Sequence, residues 1–94
     1  MNIEKISRGE TVELKLTGWL DTMNAPVLEE EVNALDSSVT SLIVDCANLE
    51  YVSSAGLRLL VAVYKKMNGN MTLQNVSEDI LSIIRMTGLE RLLK

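Results

Sequence analysis

The stretch that decides the fold is LEYVSSAGL, residues 49–57. An apolar segment ends in it, two hydroxyl side chains follow, and two small residues lead into an apolar run. This order predicts a strand, a tight connection and a helix packed closely on the sheet, because Ser is a preferred N-cap and Gly allows close approach. Either Ser53 or Ser54 can supply the cap. A hydroxyl at the positive end of a helix also suits phosphorylation or anion binding.

The segments on either side of this stretch predict a buried strand and a buried helix. Residues 42–47 begin with a short apolar run, LIV, and continue as DCA; a short apolar run bounded by polar residues is typical of a central strand covered on both faces. Cys46 is expected to be buried and unreactive there. Residues 54–67 are apolar nearly all round, so this helix is expected to be covered on more than one side. Gly69 follows as a stop signal.

The first twenty residues predict a hairpin. Residues 11–17 alternate polar and apolar side chains, the period of a strand with one face in water. Together with residues 1–7 they predict two antiparallel strands that turn near Gly9. Gly18 is expected to close the second strand.

The remaining segments complete an α/β pattern. A helix is predicted over 24–36, with Asn24 as its N-cap, and another over 77–87. Residues 71–76 alternate and predict a strand, and 89–94 is expected to form a last short strand. The order predicts a mixed sheet of four to five strands packed against three helices.

Length and composition exclude several classes of function. The 94 residues suffice for one domain over 1–94. A net charge of −4 disfavours nucleic acid and anionic membrane surfaces as partners. The absence of His excludes a His-based catalytic triad and a His-ligated zinc site, and no catalytic or cofactor motif is present. We therefore expect no enzyme activity, cofactor or metal.

The termini and the cysteine content bear on the compartment. Cys46 is the only cysteine, so an internal disulfide is impossible and a reducing compartment is expected. The first ten residues lack the apolar core of a signal peptide, and no apolar run is long enough to span a bilayer. A cytoplasmic protein without membrane insertion is the resulting expectation.

Four segments carry a resemblance to a known family. YVSSAGLR (residues 51–58) resembles the phosphorylation-site turn of bacterial anti-sigma factor antagonists. LTGWLD (16–21) resembles the turn after the family's second strand, LIVD (42–45) its central strand, and MTGL (86–89) the end of its third helix. The order and spacing are also similar, so the chain resembles the STAS domains, named for sulphate transporters and anti-sigma factor antagonists.

The resemblance implies a function. In the family, the first hydroxyl of a D-S-S-G or D-S-T-G turn is phosphorylated by a partner anti-sigma factor that is also a serine kinase. That position is Ser54 here, and the family's preceding Asp falls on Ser53. The unphosphorylated antagonist binds the anti-sigma factor and frees a sigma factor, phosphorylation breaks this binding, and a phosphatase restores it. The candidate partner-binding residues are Trp19, Asp21, Thr22, Ser53, Gly56 and Arg58.

Three alternatives stay open at this point. Asp21 either caps a turn or contacts the partner or its nucleotide. Trp19 either folds back over the sheet edge or is an exposed anchor for a partner. The whole chain is either a phosphorylation-switched antagonist or a constitutive scaffold, such as a subunit of a transporter or of a signalling complex.

Overall fold

The N-terminal hairpin forms as the alternating pattern predicts. A computed structural model describes residues 1–93. Strand β1 (Asn2–Arg8) pairs antiparallel with β2 (Thr11–Leu20). Gly9 turns the chain between them with a φ of 66°, a left-handed conformation that glycine adopts at little cost.

Two helical crossovers then add two parallel strands. Helix α1 (Ala25–Asn33) connects β2 to β3 (Ser41–Val52), and α2 (Ser54–Lys66) connects β3 to β4 (Met71–Gln74). Strand β3 pairs parallel with both neighbours, and the sheet order is β1-β2-β3-β4. This mixed sheet and its helices confirm the predicted α/β architecture.

The core lies on one face of the sheet only. Alternate residues of the strands are buried against the helices, but Lys15, Ile43 and Asp45 on the opposite face are only half-buried. The prediction that residues 42–47 are covered on both faces is therefore wrong on one side. The strand and helix side chains that share the core are Val12, Leu14, Leu16, Leu20, Leu42, Val44, Cys46, Leu49, Val52, Met71, Leu73, Leu28, Val32, Leu57, Leu60, Val63, Ile80 and Ile84.

Strand β2 runs further than the sequence predicts. Gly18 does not end it, because the chain continues in the sheet to Leu20. Gly18 has a φ of 103°, and the register with β3 shifts between Gly18 and Trp19. The extra residue of this irregularity lies on β3, at Glu50, so β2 itself continues without a break. Strand β2 keeps its alternation, and Trp19 therefore faces away from the side on which Leu20 is buried.

The C-terminal segment is a helical turn. After α3 (Glu78–Met86), a 3₁₀ helix spans Glu90–Leu93, so the strand predicted over 89–94 is wrong. Leu92 is fully buried, and its N–H donates to the carbonyl of Leu89 at 3.0 Å. A period of three residues brings both leucines to the same side, which a strand cannot do. The last residue of that prediction, at position 94, lies outside the described residues.

Helix α1 is shorter than predicted, and its start is held differently. It ends at Asn33 instead of residue 36. The side chain of Asn24 accepts no capping hydrogen bond and instead donates from Nδ2 to the carbonyl of Trp19 at 3.0 Å. Within residues 1–93, no helix combines the length and the apolar character needed to cross a membrane.

Cys46 gives a direct test of the core. Burial raises the pKa of its thiol to about 12, and the carboxylate of Asp45 adds to the shift. Because only the thiolate reacts readily, a disulfide reagent at pH 8 should label the native protein at least about 100-fold more slowly than the chain in denaturant. Rapid native labelling, measured by absorbance of the released thiolate, would contradict this packing.

Candidate functional site

The candidate site lies where β2, β3 and α2 meet. The parallel register places Leu20 opposite Val52, so the carboxyl ends of both strands lie side by side. The N–H of Ser53 donates to the carbonyl of Leu20 at 2.9 Å. This bond fixes the first residue after β3 against the last residue of β2, and α2 starts from that point.

Gly56 allows the first turn of α2 to lie directly on the end of β2. A Cβ atom at this position would stand 2.5 Å from the carbonyl oxygen of Leu20 and 2.9 Å from its Cγ. It would also approach the side chain of Val52 to 3.2 Å. The nearest obstacle is backbone, which cannot move aside without breaking the bond to Ser53. Glycine is required here for close approach, while its backbone keeps an ordinary helical conformation.

Ser53 is the residue that caps α2. Its Oγ accepts a hydrogen bond from the N–H of Gly56 at 3.1 Å, and its backbone is extended, with φ −85° and ψ 172°. Loss of such a cap costs about 0.5–2 kcal/mol. Of the two serines that could cap α2 according to the sequence, Ser53 is therefore the one that does.

Ser54 is thereby left exposed as the first residue of α2. The first N–H groups of a helix have no partner within the helix, and they carry the positive end of its dipole. A negatively charged group attached to a hydroxyl at this place would interact favourably with the helix dipole. The structure thus separates the capping residue from the residue open to modification.

Trp19 does not fold back over the sheet edge. Its side chain is 56% exposed and meets the ring of Tyr51 with 5.6 Å between ring centroids and planes tilted by 57°. The two rings form an exposed aromatic pair at the ends of adjacent strands. Met23, in the turn after β2, is 84% exposed and adds apolar surface. Exposed Trp and Tyr side chains are typical anchors of protein interfaces.

Asp21 caps the turn that follows β2. Its carboxylate accepts a hydrogen bond from the N–H of Asn24 at 2.9 Å, and its carbonyl accepts from the N–H of Ala25 at 2.8 Å. The turn-capping interpretation is therefore correct for this side chain, which is half-buried. Contact with a partner stays a prediction. Thr22 follows as an exposed residue of the same turn.

The structure thus gathers most of the predicted site at one end of the sheet. Arg58 is exposed one helical turn beyond Ser54 on α2. Tyr51 was missed from the sequence, although it lies with exposed Glu50 between buried Leu49 and Val52. That break in alternation, caused by the register shifts against β2, was the available signal. The residues gathered at the sheet end are Trp19, Asp21, Thr22, Ser53, Ser54 and Gly56.

The chemistry available at this site is that of binding and modification. Among residues 1–93, no group of three or more carboxylate or thiol side chains could hold a metal ion. The hydroxyl of Ser54, the aromatic pair and the turn of Asp21 form a surface. The features of this surface are those of a protein contact with a modifiable hydroxyl at its edge.

Comparison with known proteins agrees with this description. The profile of the family described as "Mlab, STAS domain" matches residues 4–94. The anti-sigma-B factor antagonist of Staphylococcus epidermidis is 35% identical, over 99% of this chain and 90% of that protein. The protein of the same name from Bacillus subtilis is 27% identical, over 96% of this chain and 85% of that protein.

A solved structure shares the fold. The Bacillus cell fate determinant SpoIIAA in its phosphorylated form aligns with a TM-score of 0.78, over 99% of this chain and 89% of that one. The two sequences are 20% identical, so this likeness concerns the fold alone.

Gly56 provides the prediction that tests the geometry of the site. Gly56→Ala should lower the free energy of unfolding by about 1–3 kcal/mol, because the added methyl group strikes the carbonyl of Leu20. Ser54→Ala, two residues away and exposed, should change it by less than about 0.5 kcal/mol. Urea unfolding followed by circular dichroism measures both. Equal stability of Gly56→Ala and wild type would show that α2 lies further from β2.

Proposed function

The chain belongs to the STAS domain family, and from this premise we propose that it is an anti-sigma factor antagonist. In this proposal it is a regulatory binding protein rather than an enzyme, and residues 1–94 act as one STAS domain. It sequesters an anti-sigma factor serine kinase and thereby releases a sigma factor that regulates transcription. Relatives of 27% and 35% identity that bear this name, aligned over nearly the whole chain, support the proposal.

The observation that carries the proposal is the arrangement of Ser53 and Ser54. Ser53 supplies the cap through its bond to Gly56, and Ser54 presents an exposed hydroxyl one residue later. A kinase needs a reachable hydroxyl, and Ser54 offers one whose modification leaves the cap in place. We therefore assign Ser54 as the phosphorylation site.

Phosphate at Ser54 would switch binding without unfolding the protein. It adds a charge of about −1.5 to −2 at neutral pH. Within the protein this charge lies at the positive end of α2, where an anion is stabilising. Within an interface, the same charge must lose its water or face a partner group of like sign, at a cost of several kcal/mol. Phosphorylation thus favours dissociation, and removal of the phosphate by a phosphatase restores binding.

The proposed contact surface extends from Ser54 to the aromatic pair. Trp19 and Tyr51 provide apolar area at the same end of the sheet, and Asp21 and Thr22 border it. Interfaces of this kind commonly have an aromatic centre and a polar rim. Trp19 is proposed as the main anchor.

The phosphorylation site can be tested by intact mass. Incubation with ATP and the cognate anti-sigma serine kinase of the proposed function should add one phosphate to wild type and to Ser53→Ala, and none to Ser54→Ala. Ser54→Asp should keep the fold yet weaken kinase binding, because it places a negative charge at the same position.

The controls separate this proposal from its alternative. Circular dichroism should show Ser54→Ala and Ser54→Asp folded as wild type. Phosphate found by fragmentation on Ser53 or Thr22 would overturn the assignment of Ser54. A chain that binds partners but never accepts phosphate would instead be a constitutive scaffold, such as a transporter or signalling subunit.

The anchor role of Trp19 can be tested separately. In the unphosphorylated protein, Trp19→Ala should weaken binding to the kinase by about 30-fold or more, since truncation of a central anchor costs about 2 kcal/mol or more. Tyr64→Phe, a change on a half-buried ring away from this sheet end, is the matched control and should bind as wild type. In wild type, Trp19 fluorescence should shift to the blue on binding. Unchanged fluorescence and affinity would exclude the anchor.

A further inference from the structure

A second concave surface lies on the side of α2 that faces the end of α3. It is an open groove of about 550 Å³ with mostly apolar walls. Helix α2 supplies one wall, and the turn after α3 supplies the other through Thr87 and Leu89. The residues of α2 that line it are Ser54, Leu57, Arg58, Val61, Ala62 and Lys65.

The charge of this groove is opposite to that of the chain. Arg58 and Lys65 both line it, and among residues 1–93 no carboxylate side chain does. The chain as a whole carries a net charge of −4. The two cations are seven positions apart in the sequence, so they lie on one face of α2 about 10.5 Å apart along the axis. The groove is therefore an apolar channel with a positive rim on an acidic protein.

This combination of shape and charge defines the occupant. An amphipathic helix places an apolar stripe in such a groove, with anchors at helical spacing. Carboxylates beside the stripe would face Arg58 and Lys65, whose separation equals about two helical turns. We propose that the groove between α2 and α3 is the docking site for an acidic amphipathic helix of the anti-sigma factor. This inference rests on the proposed function and adds the surface and the chemistry of the partner segment.

The groove also explains how a phosphate at Ser54 would weaken partner binding at a place away from the aromatic pair. Ser54 and Arg58 are four residues apart on α2 and line the same groove. Side chains at this spacing are neighbours on a helix, and an acidic group preceding a basic one is the favoured order. Phosphoserine would therefore draw the guanidinium of Arg58 to itself and repel the carboxylates of the partner helix. One modification would thus weaken binding both at the contact surface and in the groove.

The experiment compares groove variants with matched controls in binding to the cognate anti-sigma kinase of the proposed function. Ala62→Glu places a carboxylate on the exposed wall of the groove and should weaken binding at least 10-fold. Ser82→Glu adds the same charge on the exposed side of α3 and should stay within twofold of wild type. Titration calorimetry with the unphosphorylated protein measures both, and circular dichroism verifies that each variant is folded.

Charge is tested by a second pair of variants. Arg58→Gln combined with Lys65→Gln should weaken binding several-fold at 50 mM salt. The affinity of this double variant should also fall less than that of wild type between 50 and 300 mM salt, since two screened ion pairs are removed. Lys66→Gln is the control. Its Nζ donates to Asn33 across to α1, at 2.7 Å, and it does not line the groove. This variant should keep the salt dependence of wild type.

The outcomes distinguish the groove from the proposed function. If Ser54→Asp blocks kinase binding while Ala62→Glu and the Arg58/Lys65 double variant bind as wild type, the groove inference is wrong and the antagonist function stands. If wild type does not bind the kinase at all, both are wrong. If sedimentation shows that wild type is a dimer and that Ala62→Glu is a monomer, the groove binds a second copy of this chain and the inference is overturned.

Discussion

The contact between Gly56 and the backbone of Leu20 is the constraint on which the rest of the structure depends. It brings the first turn of α2 onto the end of β2, where the N–H of Ser53 completes the bond to the same carbonyl. Because one oxygen carries both the hydrogen bond and the close contact, the helix cannot shift along or away from the strand without loss. The direction of α2, and with it the position of every residue on its exposed side, is set at this point.

From that junction, two neighbouring serines take different roles through backbone geometry alone. The extended conformation of Ser53 turns its hydroxyl back to the helix, whereas helical geometry turns Ser54 outward. The same separation applies to the strands. Strand β2 keeps its alternation to its last residue, which leaves Leu20 buried in the core and directs Trp19 into solvent beside Tyr51. Inward-facing and exposed side chains thus alternate along adjacent residues, so a change on the exposed side leaves the core intact.

Local patterns predicted much of this arrangement, and tertiary geometry decided the remainder. Periodicity was sufficient for the hairpin and the three helices, and the small residues before Leu57 indicated the tight start of α2. Sequence could not show that β2 continues past Gly18, because a glycine that ends a strand and one inside a strand look the same. The terminal 3₁₀ turn depends on a place in the core for Leu92. The groove could not be predicted either, since its walls come from segments some twenty residues or more apart.

The chemical nature of the cap on α2 has a consequence for acid conditions. A carboxylate in that role would lose its charge near the ordinary Asp pKa of about 3.9 and would weaken the helix start as the pH falls. The hydroxyl of Ser53 does not ionise in that range, so its bond to Gly56 persists. In the proposed function, a phosphate on Ser54 would bring a pH response to this end of α2, since its second pKa is about 6. Mild acid would halve the added charge while the protein beneath it stayed unchanged.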